Sequence, residues 1–171
     1  MSFSFDEIKA RKKLPVEEVP IVLDGEWGQQ VLDAQERMVA LESSLRARPG
    51  DTTLIGELDE LLAEIERLNA ERDEHVAVFK FKGLGRDRYE RLVRAHPPTQ
   101  EQRKQAARES SGASWNRDTF PPALIHACLV EPSMTLEQVV ELLADDEWNE
   151  ADAGALFSGA SSACLSRTVL R

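Results

Sequence analysis

Residues 31–68 read VLDAQERMVALESSLRARPGDTTLIGELDELLAEIERL, two charged segments with the same pattern of apolar residues. In the first segment the apolar positions lie three or four residues apart, at Val31, Ala34, Met38, Leu41 and Leu45. The spacing returns in the second segment at Leu54, Leu58, Leu61, Ile65 and Leu68. This is the period of one apolar stripe along an α-helix, and the intervening Pro49-Gly50 breaks the helix. The stretch therefore predicts two antiparallel helices that pack along their stripes.

The predicted helical hairpin covers residues 27–74, and its other faces are mostly charged or polar. A narrow apolar stripe on such helices indicates a hairpin that protrudes from the body as a lever or spacer. Residues 1–26 are interpreted as an N-terminal arm with a short strand. Residues 75–171 are interpreted as a mainly helical core domain.

Two short β-prone runs flank the hairpin. The first is residues 19–23, and its Pro20 favours a sheet edge because proline lacks the backbone donor of an inner strand. The second is residues 75–82, where alternation puts Phe79 and Phe81 on one face. The predicted fold class is mostly α, in an α+β arrangement with one or two short strands and a helical body that carries the antiparallel αα-hairpin.

Helix starts after residue 83 are indicated by capping residues and prolines. They are expected at Arg86, after Thr99, at Pro121-Pro122, after Thr135 and after Asn149. The helix that begins near Phe120 is predicted to run through Leu129 and to end at residues 132–135.

The chain is acidic, with a net charge of −10 and a pI near 4.9. Such acidity disfavours a general attraction to DNA, RNA or anionic lipid, because phosphates are repelled at long range. The charge is uneven, however, since residues 75–117 carry +6 between segments of −8 (residues 25–74) and −7 (residues 118–171). This basic middle is the argument for a nucleic-acid-binding regulator, or for self-association.

Several features favour the cytoplasm. The N-terminus lacks the long apolar run of a secretory signal, and no stretch approaches the roughly 18 apolar residues of a membrane span. The two cysteines, Cys128 and Cys164, lie in different segments and do not make a disulfide framework. We expect a soluble protein of a reducing cytoplasm that does not enter a membrane.

The spacing of reactive residues is not typical of an active site. Gly83-Leu84-Gly85-Arg86 lacks the third glycine and the Lys-Ser/Thr pair of a phosphate loop. The three histidines are scattered without metal-ligand spacing. Cys128 lies among apolar residues, which is typical of a small core side chain. A calcium loop beginning at Asp145 would have Glu150 at the position of the glycine and Leu156 at the position of the last glutamate, so the match fails. We therefore expect a protein that is not an enzyme and has no cofactor or metal.

Two motifs carry a resemblance to a known family. Residues 79–102 read FKFKGLGRDRYERLVRAHPPTQEQ, and residues 116–143 read NRDTFPPALIHACLVEPSMTLEQVVELL, followed shortly by Trp148. This succession resembles the tail assembly chaperones of long-tailed, siphovirus-type phages and prophages of actinobacteria. The strand and turn at residues 19–25 also fit that pattern, whereas the hairpin at residues 27–74 lies outside the strong matches.

The resemblance implies a protein of the host cell cytoplasm that is not part of the virion. It would bind the tape measure protein, keep it soluble and promote assembly of the tail tube around it. A longer form made by ribosomal frameshifting would contact the tail tube protein. The predicted protein-binding residues are Phe120, Leu124, Val139, Leu143 and Trp148. The alternatives are a structural head–tail or tail completion protein of the virion and the nucleic-acid-binding regulator.

Overall fold

The computed structural model describes residues 3–166, and the chain divides into two compact units. One unit is Pro20–Ala77, and the other is built from the segments on either side of it in the sequence. The elements in chain order are α1 (Phe5–Arg11), β1 (Val16–Val22), α2 (Gly25–Ala47), α3 (Thr52–His75), β2 (Val76–Lys82), α4 (Arg86–Ala95), α5 (Gln100–Arg108), α6 (Phe120–Cys128), β3 (Leu129–Glu131), α7 (Leu136–Ala144) and α8 (Glu150–Leu165). The fold is mostly helical with a small antiparallel sheet, so the predicted fold class is confirmed.

The Pro20–Ala77 unit is the predicted hairpin, because α2 and α3 are two packed helices that turn at residues 48–51. Leu61 and Leu68 are fully buried in the seam, together with Ala34 from the facing helix. Partly buried apolar side chains complete the seam, namely Val31, Met38, Leu41 and Ile65. The turn is fixed by Asp51, whose carboxylate accepts from the amides of Thr53 and Leu54 and thereby caps α3.

The open end of the hairpin is closed by contacts around His75. The Trp27 indole stacks on the His75 ring with centroids 5.3 Å apart. His75 Nδ1 lies 3.1 Å from a carboxylate oxygen of Asp24, which also caps α2. The amide of Leu23 donates to the His75 carbonyl at 2.8 Å. These contacts hold the first turn of α2 against the last turn of α3.

The sheet has the order β1-β2-β3, so β2 is its central strand. Phe79 and Phe81 of β2 are buried, as the alternation of residues 75–82 predicts. The proline-containing strand β1 lies at an edge, also as predicted, although it begins at Val16 and is longer than expected.

The predicted end of the helix from Phe120 is wrong. The helix α6 stops at Cys128, and Leu129–Glu131 forms a third strand that pairs antiparallel with β2. Glu131 lies opposite Lys80, and their side chains form an ion pair at 2.7 Å. The residue before a proline disfavours helical geometry, and pairing satisfies backbone groups on that side of β2. Residues 3–166 therefore contain three strands where one or two were expected.

The core of the other unit lies between the sheet and α6 and α8. Helix α6 is almost wholly apolar, and its buried residues are Phe120, Ala123, Leu124, Ile125 and Cys128. Helix α8 contributes Leu156, Ala160 and Ala163. A side chain at Gly83 would collide with the backbone carbonyl of Ala163, so glycine permits this close approach of the chain to α8.

The helix starts expected after residue 83 are confirmed. Thr99 and Thr135 each form a complete capping box, with Gln102 and Gln138 respectively. Asn149 caps α8 by accepting from the amide of Asp152 at 2.9 Å. The N-terminal arm is also partly helical, because α1 begins at a capping box of Ser4 and Glu7. No helix within residues 3–166 is long and apolar enough to cross a membrane.

Candidate protein-binding groove

Three helices, α6, α7 and α8, surround an open groove of about 400 Å³, which we call the α6–α8 groove. Its lining is mainly apolar, with charged residues at its rim. The lining residues are Arg117, Asp118, Pro121, Pro122, Ile125, Val140, Leu143, Ala144, Glu150, Ala153, Gly154 and Phe157. A concave apolar surface of this kind can receive side chains of a partner.

Local sequence explains how each wall forms. Pro121 and Pro122 occupy the first turn of α6, where their missing amides cost no helical hydrogen bond. Helix α7 is amphipathic, and its outward apolar positions reach the groove at Val140 and Leu143. The wall from α8 includes two small residues, Ala153 and Gly154, between Glu150 and Phe157.

The five predicted protein-binding residues do not form one surface. Phe120, Leu124 and Val139 are fully buried, so their side chains pack within the fold and do not face a partner. Trp148 is half-buried, and its ring packs edge-on against Phe79 with centroids 6.0 Å apart. Leu143 is half-buried and lines the α6–α8 groove. Among the five, Leu143 is the residue that the structure places in this groove.

Most of the residues that line the groove are not predicted from the sequence. Val140 is 47 % exposed and lines the groove, whereas its neighbour Val139 is fully buried. Two adjacent valines on one helix fit the apolar stripe almost equally well, so periodicity did not separate them. Pro121 and Pro122 were interpreted only as helix starters. Their rings also form part of the groove wall.

An aromatic cluster centred on Phe120 lies next to the groove. The ring of Trp115 stacks on that of Phe120 with centroids 4.9 Å apart. Tyr89, His96 and Phe157 approach the Phe120 ring edge-on, with centroids 6.2–6.4 Å away. Because Phe157 belongs to both the cluster and the groove, Phe120 contributes by fixing a lining residue in place.

The two motifs that carry the resemblance meet in the fold. The amide of Asn116 donates to the carbonyl of His96 at 2.8 Å, and His96 Nδ1 lies 3.0 Å from the Thr119 hydroxyl. The Asn116 side-chain oxygen accepts from the amides of Asp118 and Thr119 at the start of α6. His96 of the first motif therefore contacts the start of the second motif, just before the groove-lining helix α6.

The charged residues that line the groove are of both signs, and the segment that follows α7 is acidic. Arg117, Asp118 and Glu150 line the groove and are exposed. The exposed acidic residues 145–147 lie between α7 and α8. An apolar lining beside a mainly acidic surface suits a protein partner better than a phosphate-rich one.

The positive charge of the basic helix α4 is partly neutralised by Glu90, one of its two acidic residues. Glu90 accepts from Arg86 at 2.8 Å and from Arg94 at 3.2 Å. The Arg86 hydrogen bond and charge, followed by those of Arg94, hold the pKa of Glu90 below its ordinary value. Two of the four arginines of α4, Arg86 and Arg94, therefore have a carboxylate partner within the helix, which reduces the positive charge that this face offers to a phosphate.

One cluster of reactive groups lies apart from the groove. The Cys128 and Cys164 sulfurs are 3.4 Å apart, although the residues lie 36 positions apart in the chain. Cys128 is buried in the core, as its apolar neighbours in the sequence predict. No sequence pattern predicts its contact with Cys164. Among the described residues no group of three or more His, Cys, Asp or Glu side chains is placed to hold a metal ion.

A scan against protein-family models, a search of curated proteins and a search of solved structures each returned no match.

Proposed function

We propose that this chain is a phage tail assembly chaperone that binds an apolar helical segment of the tape measure protein in the α6–α8 groove. The single observation that carries this proposal is the groove itself, an open apolar surface built largely from residues 116–143, which also carry the family resemblance. In this role the chain is a binding protein of the host cytoplasm and performs no catalysis.

The shape of the groove favours a helix as the occupant. It is bounded by three helices and is open to solvent, so a partner can lie along it without threading through the fold. A volume of about 400 Å³ accommodates a few apolar side chains. An amphipathic helix presents such side chains at three- and four-residue spacing, which is the usual mode of helix-in-groove recognition.

Exposed apolar residues in the groove can contribute to the free energy of binding when a partner covers them. Val140 is about half exposed, and Leu143 is half-buried beside it. Covering them with a partner removes apolar surface from water at about 25 cal/mol per Å². The acidic exterior, with a net charge of −10 for the chain, would keep the complex soluble while the apolar partner is held.

Co-expression with the tape measure protein tests the proposal. We expect the wild-type chain to move the tape measure protein into the soluble fraction and to be recovered in a complex with it. Val140→Glu places a charge in the apolar groove at a position exposed enough to tolerate it in the free protein, and should abolish recovery of the complex.

Val130→Glu is the matched control. Val130 is 49 % exposed, close to the 47 % of Val140, but it lies on β3 and does not line the groove. It should bind as the wild type does. Circular dichroism spectra would establish that both variants are folded. A wild-type chain that leaves the tape measure protein insoluble overturns the function, and equal binding by Val140→Glu overturns the groove as its site.

A further inference from the structure

The two cysteines of the chain form a close thiol pair. Cys128 is the last residue of α6, and Cys164 lies in the last turn of α8. Both are free thiols, with their sulfurs 3.4 Å apart. A disulfide bond requires a sulfur separation near 2.05 Å, so a modest approach of the two helix ends would allow the bond to form.

The environments of the two sulfurs differ. Cys164 is half-buried, and its sulfur accepts a hydrogen bond from the Leu84 amide at 3.3 Å. The hydrogen bond with the Cys128 thiol, followed by that from the Leu84 amide, lowers the pKa of Cys164 to about 6. Donation to Cys164, together with burial, raises the pKa of Cys128. Cys164 is therefore the more readily ionised and more nucleophilic of the two thiols, and Cys128 is the less acidic thiol beside it.

Access from solvent is also one-sided. An open depression of about 730 Å³ adjoins Cys164, and Cys128 is not among its lining residues. The charged and titratable side chains around it are Lys12, Arg86, Tyr89 and Glu90. Arg88 also contributes a positive charge near Cys128. A small reagent can therefore reach Cys164 first, with Cys128 behind it.

The close approach of the two segments has a structural origin. Gly83 lies against the backbone carbonyl of Ala163, where no larger residue fits. This contact brings the following residue, Leu84, within hydrogen-bonding distance of the Cys164 sulfur. One of the two hydrogen-bond partners of the Cys164 sulfur, the Leu84 amide, is therefore positioned by backbone packing.

We propose that Cys164 and Cys128 are a two-cysteine redox modification site, in which Cys164 reacts with a hydroperoxide and Cys128 then closes an intramolecular disulfide. In the first step the Cys164 thiolate attacks one peroxide oxygen, the S–O bond forms and the O–O bond breaks, which leaves a sulfenic acid on Cys164. The departing alkoxide, or hydroxide from hydrogen peroxide, takes a proton from solvent and leaves as an alcohol or water. In the second step the Cys128 sulfur attacks the sulfenic sulfur, and water leaves with the Cys128 proton. A dithiol reductant returns both thiols.

The consequence for the groove follows from where the bond lies. Helices α6 and α8 each provide a wall of the α6–α8 groove, so the disulfide would tie two of its walls together. That consequence rests on the proposed function, whereas formation of the disulfide does not.

The chemistry is tested on the reduced full-length protein, treated with hydrogen peroxide at neutral pH. We expect loss of both titratable thiols, a mass lower by two hydrogen atoms, and a monomer on a non-reducing gel. Dithiothreitol should restore the two thiols. Cys164→Ser should slow peroxide-dependent thiol loss by about tenfold or more, because the remaining thiol is protonated and buried.

Cys128→Ala should stop the reaction at the sulfenic acid, which dimedone traps on Cys164. Circular dichroism establishes that each variant is folded. The mass and thiol count of the wild-type protein test the disulfide even if a variant fails to fold. The proposal is overturned if the wild type keeps both thiols at peroxide doses that oxidise other low-pKa cysteines, or forms only intermolecular disulfides. It is also overturned if Cys164→Ser reacts as fast as the wild type. None of these measurements involves binding of the tape measure protein. Their outcome is therefore independent of whether the proposed function is correct.

Discussion

Gly159 lies directly against Phe81, because a methyl group built on Gly159 would be 3.2 Å from Cδ2 of the Phe81 ring and would overlap the side chain of Val19. The residue has an ordinary helical backbone, so its role is to leave space and not to adopt an unusual conformation. Helix α8 can therefore approach the strands β1 and β2 at this level only while the position has no side chain.

Gly159→Ala should destabilise the protein by about 1–3 kcal/mol, because the added methyl group forces packed side chains apart. Gly154→Ala is the matched control in the same helix, since nothing lies within 4 Å of its added methyl group. That change should stabilise by about 0.5–1 kcal/mol through helix propensity. Urea unfolding followed by circular dichroism measures both, and a Gly159→Ala protein as stable as the wild type would contradict the close packing.

Leu61→Ala should cost about 2–5 kcal/mol, because Leu61 is fully buried in the seam between α2 and α3 and its loss leaves a cavity. Leu62→Ala tests the same substitution one position along, where the side chain is 48 % exposed. It should change the free energy of unfolding by about 0.5 kcal/mol or less. Similar losses of unfolding free energy in the two variants would contradict the burial of Leu61 and the exposure of Leu62.

Thr135→Ala should cost about 1 kcal/mol, because the threonine hydroxyl accepts from the Gln138 amide at the start of α7. Thr135→Ser keeps the hydroxyl and should unfold close to the wild type. Since α7 carries Val140 and Leu143, loosening its first turn should also weaken binding in the α6–α8 groove. Equal unfolding midpoints for the alanine and serine variants would remove the cap as the cause.

Alkylation of Cys164 by iodoacetamide should follow an unusually acidic pH profile. The reactive form is the thiolate, so the rate rises with pH and should reach half its maximum near the Cys164 pKa of about 6. Cys128→Ala removes the thiol donor and should move the profile to higher pH. The measurement is the alkylation rate of Cys164 between pH 5 and pH 9, the region of its lowered and ordinary values. A wild-type midpoint near the ordinary thiol value would contradict a stabilised thiolate.

Local signals in the sequence predicted most of the helices. The hairpin follows from a repeated three- and four-residue spacing and from a Pro-Gly break. Both signals involve residues within about one helical turn of each other. The helix starts at Thr99, Thr135 and Asn149 follow from capping side chains that reach only two or three residues ahead.

Features that depend on distant partners were not predictable in the same way. The strand β3 is three residues long and exists because β2 lies beside it, so the local sequence carries little signal. Helix α6 is apolar on nearly every side, and its pattern therefore cannot tell the buried Phe120 and Leu124 from a side chain that faces a groove. The meeting of Cys128 and Cys164 depends on how α6 packs on α8.

The three tryptophans of the chain are distributed so that fluorescence can report on each unit separately. Trp27, stacked on His75, lies within Pro20–Ala77, whereas Trp115 stacks on Phe120 and Trp148 packs on Phe79 in the other unit. Replacing Trp27 by phenylalanine leaves an emission signal from the groove-bearing unit alone. The double replacement of Trp115 and Trp148 leaves a signal from the hairpin alone. The protein thus carries intrinsic optical probes that can time the opening of its two units without an added label.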